Sequence, residues 1–593
     1  MKRIIFLSLL QFLSASLTYS SFAQSAMNNI PGRKTVSLNG RWGAIIDLYD
    51  AGSGKRAFWK DLKPEKKTDF YEYSFENGPV LNVPGDFNTQ LPELNYYEGS
   101  VWYKKNFIFK KVPDKRVFLY FGAANYKTDA YLNSQTLGSH EGGFTPFQFE
   151  ITDKIKDGQN SVIVRVNNQR LKDAVPTIGF DWFNYGGITR DVDLVVTPES
   201  YIKDYFIQLE KGKNNFIKGW IKIDGTNKNQ TGFVEIAELK IKHKFVCDST
   251  GAALFAFAAK PVLWSPEKPK LYDVKIISQT DTISEQIGFR NIDVRGDEIL
   301  LNGRSVFLKG VNIHEELPER GNRAYSKEDA ELLLGRAKEL GCNFVRLAHY
   351  PHNENMVRLA DKLGLMVWSE IPVYQKIEFQ NPAAQQRMNN MLKEMIARDK
   401  NRASVIIWSI SNETVPSKER NANLSNLAQL AKELDSTRLI SSAMNLIKYE
   451  KDVATIDDSL CSYLDVIGVN EYYGWYKPWP AAPGEMIWKS DFKKPLIMSE
   501  FGGEATYGNH DTLMTASTWS EEYQEQIYKD QIKMLKTIPF LRGTCPWILA
   551  DFKSPVRVHP VYQKGYNRKG LLSDKGLKKK AWYVMKEFYE SMK

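Results

Sequence analysis

Between Ser404 and Ile410 the chain reads Ser-Val-Ile-Ile-Trp-Ser-Ile, with hardly a polar residue to mark a wet face. A strand that is apolar on both faces must be covered on both, which is the situation of a parallel sheet flanked by helices. That one run commits this part of the chain to an α/β architecture. It closes on Ser411-Asn412-Glu413, so the strand delivers a carboxylate at its C-terminal end. In an α/β barrel that rim gathers the reactive groups, because its loops are held by a rigid scaffold.

A single strand-end glutamate is often no more than a structural acceptor. The stretch Pro495-Leu-Ile-Met-Ser-Glu500 supplies a second one at the end of a second apolar run. Two carboxylates facing each other across about 5 Å are what a retaining glycosidase requires, one as nucleophile and one as general acid and then base.

After the turn Leu301-Asn-Gly303, strands alternate with amphipathic helices. Candidate strands fall at 306–311, 343–347, 365–370, 404–411, 438–442, 464–470, 495–500 and 541–547. With helices between them they predict a (β/α)8 TIM barrel over 293–593, with Glu413 after strand four and Glu500 ending strand seven. Ser326-Lys-Glu-Asp329 is a capping box, and Leu332, Leu333 and Leu340 read as the buried stripe of the helix that Gly341 ends.

Ahead of the barrel the period is that of strands. Over 24–197, short runs such as Val117-Phe-Leu-Tyr-Phe121 and Ser161-Val-Ile-Val-Arg-Val166 predict an antiparallel β-sandwich. Over 198–292, runs such as Phe216-Ile-Lys-Gly-Trp-Ile-Lys-Ile223 predict a second, smaller sandwich of immunoglobulin-like size. Within the first, Gly179-Phe-Asp181-Trp-Phe-Asn-Tyr-Gly-Gly-Ile-Thr-Arg190 combines an acid, four aromatics and two adjacent glycines.

These residues resemble glycoside hydrolase family two. Asp399 to Glu413 is similar to the family's acid/base signature, and Asn343-Phe-Val-Arg-Leu-Ala-His-Tyr-Pro-His352 to its other signature. Val83-Pro-Gly-Asp86, Tyr96-Tyr-Glu-Gly-Ser-Val-Trp-Tyr103 and Glu141-Gly-Gly-Phe-Thr-Pro146 resemble its jelly-roll sugar-binding domain, and 263–272 the last turn of its middle domain. The resemblance implies Glu413 as acid/base, Glu500 as nucleophile, Asn412 on the sugar 2-hydroxyl, His349 on the same sugar and Trp547 as the platform beneath the ring. Tyr472 is placed to offer its phenol to Glu500, Tyr476 counts as a further substrate-binding residue, and His352 is read as structural.

Two stretches resemble the β-glucuronidase branch in particular. The loop carrying Asp181 is similar to one that reaches over the barrel to bond a sugar hydroxyl. Tyr566-Asn567-Arg-Lys569-Gly570 matches the Asn-x-Lys motif that binds a C6 carboxylate, where an ammonium and an amide form charge-assisted bonds that a neutral hexose cannot return. The expectation is a retaining exo-hydrolase of terminal β-D-glucuronides, with a uronic-acid-bearing carbohydrate as its partner. A β-galacturonidase would differ at C4, and a β-galactosidase or β-mannosidase would lack Asn567 and Lys569. A non-catalytic carbohydrate-binding protein would have lost a carboxylate. Two departures stand out: Gln563-Lys-Gly lies where several members carry an Arg, with Arg557 ten residues before Asn567, and the stretch 371–382 is short, which predicts an open cleft.

Composition narrows the rest. The excess of 80 Lys and Arg over 70 Asp and Glu gives a net charge of +10, but the basic residues are scattered, which argues against nucleic acid. Met1-Lys2-Arg3, the apolar run 4–13 and Ser21-Phe-Ala23 read as a secretory signal over 1–23, so the protein is expected to be exported, periplasmic or secreted. No later run is long enough for a membrane span. Cys247, Cys342, Cys461 and Cys545 lack metal or disulfide spacing, Cys342 and Cys545 read as buried thiols, and no metal and no cofactor is called for. A homo-oligomer is compatible with the sequence.

Overall fold

The structure is a computed structural model that describes residues 22–445 and 447–592. Apart from its last two residues, the predicted signal segment 1–23 lies outside the described residues.

Eight parallel strands form the barrel: β1 (Leu308–Lys309 with Asn312–Ile313), β2 (Phe344–Leu347), β3 (Met366–Glu370), β4 (Val405–Asn412), β5 (Leu439–Met444), β6 (Val466–Asn470), β7 (Leu496–Glu500) and β8 (Leu541–Thr544). The two halves of β1 close the ring. Leu308–Lys309 pairs with β8 and Asn312–Ile313 with β2. Gly310 sits at the break, where an added Cβ would lie 2.5 Å from Cys545 Sγ, so only glycine lets the chain cross between the two pairings. The strands are buried along nearly their whole length, as their unbroken apolar sequence requires.

Among the described residues six α-helices stand outside the ring: α1 (Lys327–Glu339), α2 (Glu354–Leu363), α3 (Pro382–Asp399), α4 (Lys418–Leu434), α5 (Glu521–Leu535) and α6 (Lys580–Ser591). Ser326 and Asp329 form the reciprocal cap of α1. Its buried stripe is Ala330, Leu333, Leu334 and Ala337, continuing to Leu340; Leu332 is on the outer face. The two helices expected around β6 are absent among the described residues. In their place are the 3-10 turn Ser459–Tyr463 and a small sheet of Lys448–Glu450, Val453–Ile456 and Ile487–Ser490. Pro478, Pro480 and Pro483 in the intervening stretch deny it a helical interior.

Residues 24–198 contribute two antiparallel sheets of five and six strands packed face to face, and Tyr201–Leu209 to Thr282–Ile287 two smaller ones of three and four. Both sandwiches are fastened to the barrel through buried charge. Arg190 of the first donates to the carbonyls of Phe144 (2.6 Å) and Pro351 (2.7 Å) and faces Glu315, which also pairs with Arg323 at 2.5 Å. Glu285 of the second accepts from Tyr205 and pairs with Arg358 (2.8 Å) and Arg402 (3.1 Å). Burial opposes ionisation of both carboxylates, yet the arginines beside them bring each down to about 2. Glu316, buried against Tyr185, goes the other way, and desolvation pushes it up to about 7.

The signs follow from linkage. A carboxylate depressed from 4.5 to about 2 adds stability that is present above 4.5 and lost as pH falls towards 2. One raised to about 7 adds stability that is present below 4.5 and lost as pH rises through 7. Scanning calorimetry should therefore show the thermal midpoint dropping below pH 4.5, and Glu316→Gln should flatten the decline on the neutral side. A midpoint in Glu316→Gln that follows wild type across pH 5–8 would refute the assignment.

Candidate active site

The C-terminal rim of the barrel, the Asp181 loop of the first sandwich and the loop after β8 enclose a cleft of about 440 Å³. Its chemistry starts with Arg346 on β2, whose side chain is fully buried. The guanidinium donates to Glu370 at 3.0 Å through both Nε and Nη2, to Glu500 Oε1 at 2.7 Å and to Asn412 Oδ1 at 2.8 Å. These partners come from β3, β7 and β4, so one cation ties four strand ends together.

Glu500 ends β7. Its second oxygen accepts from the Tyr472 phenol at 2.7 Å, as the sequence suggested, and His349 Nε2 lies 3.8 Å from the first. Burial and the neighbouring carboxylates hold the Tyr472 phenol far above its usual range, so it stays a donor.

Glu413 stands one residue beyond β4 with φ +52, a left-handed conformation uncommon for a side-chain-bearing residue, and its N–H is fixed on the Ala443 carbonyl at 2.8 Å. The kink turns its carboxyl into the cleft. Oε1 accepts from Asn470 Nδ2 and Oε2 from Gln375 Nε2, both at 3.0 Å. Burial first, and the charge of Glu500 second, raise its pKa; the two amides offset part of that rise. The two glutamates are therefore unlike: one is gripped by a guanidinium, the other desolvated and met by neutral donors.

His349 hydrogen-bonds Glu370 through Nδ1 at 2.8 Å and stacks on Trp547 with centroids 4.7 Å apart. Both line the cleft. Asn412 does not line it: its Oδ1 is taken by Arg346 and, at 3.1 Å, by Asn470. His352 is turned away, fully buried, with Nε2 on the Ala348 carbonyl at 2.9 Å.

The opposite end of the cleft is a cluster of alternating charge. Lys569 Nζ donates to the Tyr476 hydroxyl at 2.6 Å and pairs with Glu504 at 3.2 Å. Arg557 bonds that same hydroxyl at 3.0 Å and forms an ion pair with Asp181, which also accepts from Ser554 and, at 3.4 Å, from Asn567. Desolvation works against the Lys569 ammonium, but Glu504 and Tyr476 together outweigh it and keep the pKa above its usual value. Asp181 is likewise drawn below the usual range, with Arg557 prevailing over burial.

All the expected site residues except Asn412 thus face one cleft. Sequence reasoning missed Arg346, Gln375, Asn470, Glu504 and Arg557. Arg346 lies within the 343–352 signature, three residues before His349, and was within reach. Arg557 was set aside for its distance along the chain, yet the turn 554–565 folds back and brings its guanidinium beside Lys569. Among the described residues no group of three or more His, Cys, Asp or Glu could hold a metal ion, no helix is long and apolar enough to cross a membrane, and the four cysteines are free and buried.

Three family profiles match the chain: the sugar binding domain of glycosyl hydrolases family 2 over residues 36–198, the family 2 middle region over 200–290, and the family 2 TIM barrel domain over 292–593. A β-glucuronidase of Bacteroides fragilis is 31% identical, covering 85% of this chain and 78% of that protein. Among solved structures, a β-glucuronidase from Ruminococcus gnavus in complex with D-glucuronic acid matches with a TM-score of 0.80 at 25% identity, covering 97% of this chain and all of that one. A family 2 β-galacturonidase from Eisenbergiella tayi matches with a TM-score of 0.78 at 25% identity, covering 95% of this chain and 97% of that one.

Proposed function

The chain belongs to glycosyl hydrolase family 2, and from that membership and its cleft we propose that it is a retaining exo-β-glucuronidase. The observation that carries the substrate is the pairing of Lys569 and Arg557 at one end of a cleft that holds Glu413 and Glu500. A terminal glucuronide seated there presents its C6 carboxylate to the two cations and the Asn567 amide, and its anomeric carbon to Glu500. Trp547 lies under the ring, with His349 stacked behind it.

The reaction divides between the two unlike carboxyls. Glu500 attacks C1 while Glu413 gives its proton to the glycosidic oxygen, and the aglycone leaves as an alcohol from a covalent glycosyl ester. Glu413, now a carboxylate, takes a proton from water, which attacks C1 and releases glucuronate with its configuration retained. The raised pKa of Glu413 supplies the acid of the first step; removal of the Glu500 charge in the ester makes Glu413 more acidic, which suits a base formed by giving up that proton. Tyr472 and Arg346 hold Glu500 as a double acceptor.

Asp181 and its Arg557 partner make the first sandwich part of the substrate site. We also read residues 1–23 as an export signal, so that the enzyme works on glycans or conjugates outside the cytoplasm. A mature protein isolated from the producing cell whose N-terminus is still Met1 would overturn that reading.

Glu500→Ala should abolish turnover, and Glu413→Ala should recover with azide on an activated glucuronide, yielding the azide of retained configuration. An inverted first-formed product refutes the double displacement. On a panel of p-nitrophenyl glycosides with one aglycone, wild type should prefer glucuronide over galacturonide and over neutral sugars. Lys569→Ala should lower glucuronide kcat/KM by about 100-fold or more with little change on the glucoside, since a carboxylate is left uncompensated in a desolvated pocket. Equal losses on both substrates would remove the carboxylate clamp, and preference for galacturonide would make the enzyme a β-galacturonidase.

A further inference from the structure

Gln375 has no part in the family resemblance, yet it touches the carboxyl that handles the proton. It lies just beyond β3, where the chain continues as an extra rung along β4: Asn412 N donates to the Val373 carbonyl and Gln375 N to the Asn412 carbonyl, both at 2.8 Å. Like Glu413, Gln375 has a left-handed backbone, with φ +47. The two residues therefore end adjacent strands with their side chains turned towards each other, and Gln375 Nε2 reaches Glu413 Oε2 at 3.0 Å and the Tyr374 hydroxyl at 3.1 Å.

The amide on the other oxygen of Glu413 is locked. Asn470 Nδ2 donates both to Glu413 Oε1 and to Asn412 Oδ1, which Arg346 fixes as an acceptor, and Asn470 Oδ1 accepts from Ser499 Oγ at 2.7 Å. Asn470 can only donate to Oε1, so the proton of the acid belongs on Oε2. Gln375 faces that oxygen, and its one other partner here is a phenol, a group that can give or accept. With Nε2 inward it donates to an ionised Glu413 and to the Tyr374 oxygen. Turned over, its carbonyl accepts from a protonated Glu413 and from the Tyr374 hydroxyl. Both orientations leave Glu413 Oε2 and the Tyr374 hydroxyl paired.

We propose that Gln375 is a positioning residue whose side-chain amide follows the proton on Glu413, accepting it in the resting acid and donating to the carboxylate left after transfer. This rests on Glu413 being the acid/base. The other titratable groups facing Glu413 are Glu500 from β7, His349 after β2, Tyr374 after β3 and Tyr472 after β6. Of these, Glu500 raises the pKa of Glu413 and His349 lowers it; the Gln375 hydrogen bond lowers it too. A hydrogen bond to the charged carboxylate is stronger than one from the neutral acid, so losing Gln375 should on balance make Glu413 a weaker acid.

The test is the pH profile of kcat/KM for two glucuronides, one with a p-nitrophenyl and one with an alkyl leaving group. Gln375→Leu should move the alkaline limb up by about half a pH unit or more and cut the alkyl substrate by about tenfold more than the nitrophenyl one. Gln375→Glu, which keeps the shape but adds a charge, should move the limb further in the same direction and guards against misfolding of the leucine variant. A uniform loss on both substrates with the limb unmoved in both variants overturns the proposal. Glu413→Gln separates the two readings: it should erase the alkaline limb, and a limb that persists in it would overturn the acid/base assignment and this inference together.

Discussion

The two-glutamate end of the cleft leans on the Arg346 guanidinium. A buried cation is costly unless its charge and all its donors are matched, and here the match is supplied by Glu370 and Glu500, with amide oxygens taking what remains. Glu370 is held down to about 2 by that cation and by His349, so it is a permanent anion. Glu413 has no guanidinium in hydrogen-bond contact, only the amides of Asn470 and Gln375, and burial with the charge of Glu500 raises its pKa. The asymmetry between the two glutamates thus originates behind the cleft wall, in which carboxylate the arginine touches.

The same network explains what a sequence reader can and cannot see. Parallel barrel strands announce themselves because both faces are covered, and 404–411 and 495–500 had no other plausible fate. The glutamates at their ends were legible for that reason. Arg346 was harder: an arginine inside an apolar strand looks like an outlier until its partners on the other strands are in view. Arg557 and Glu504 were hidden differently, since they meet Lys569 only through the path of the loop after β8. The missing helices around β6 reflect a limit of pattern counting. A barrel needs a return connection of sufficient length, and a Pro-rich stretch with a small sheet serves as well as a helix.

The three domains are less separable than their different periods suggest. Asp181, from a sandwich strand connection, completes the charge cluster that Arg557 and Lys569 bring from the barrel, while Arg190 and Tyr185 of the same loop are anchored on Glu315 and Glu316. The loop is held at its base by buried hydrogen bonds and reaches the cleft at its tip. Its glycines answer the same demand: Gly187 has φ +120, and a Cβ there would lie 2.7 Å from the Tyr103 hydroxyl. Trp182, beside Asp181, packs on Tyr350 and Tyr374, so the tip is placed by ring contacts as well as by charge.

At the end of the cleft proposed to take the uronate the cations are already spoken for: Glu504 and Asp181 balance Lys569 and Arg557 one for one. An empty pocket of this kind is a weak trap for stray anions, because its field at a distance nearly cancels. A carboxylate is favoured only when it arrives on a ring of the right shape, with the amide, the ammonium and the guanidinium converging on it at hydrogen-bond range. The hydrolysis product carries the same carboxylate as the substrate. Held by contact geometry and not by a strong net charge, it can depart once the aglycone no longer anchors it, so turnover need not stall on product release.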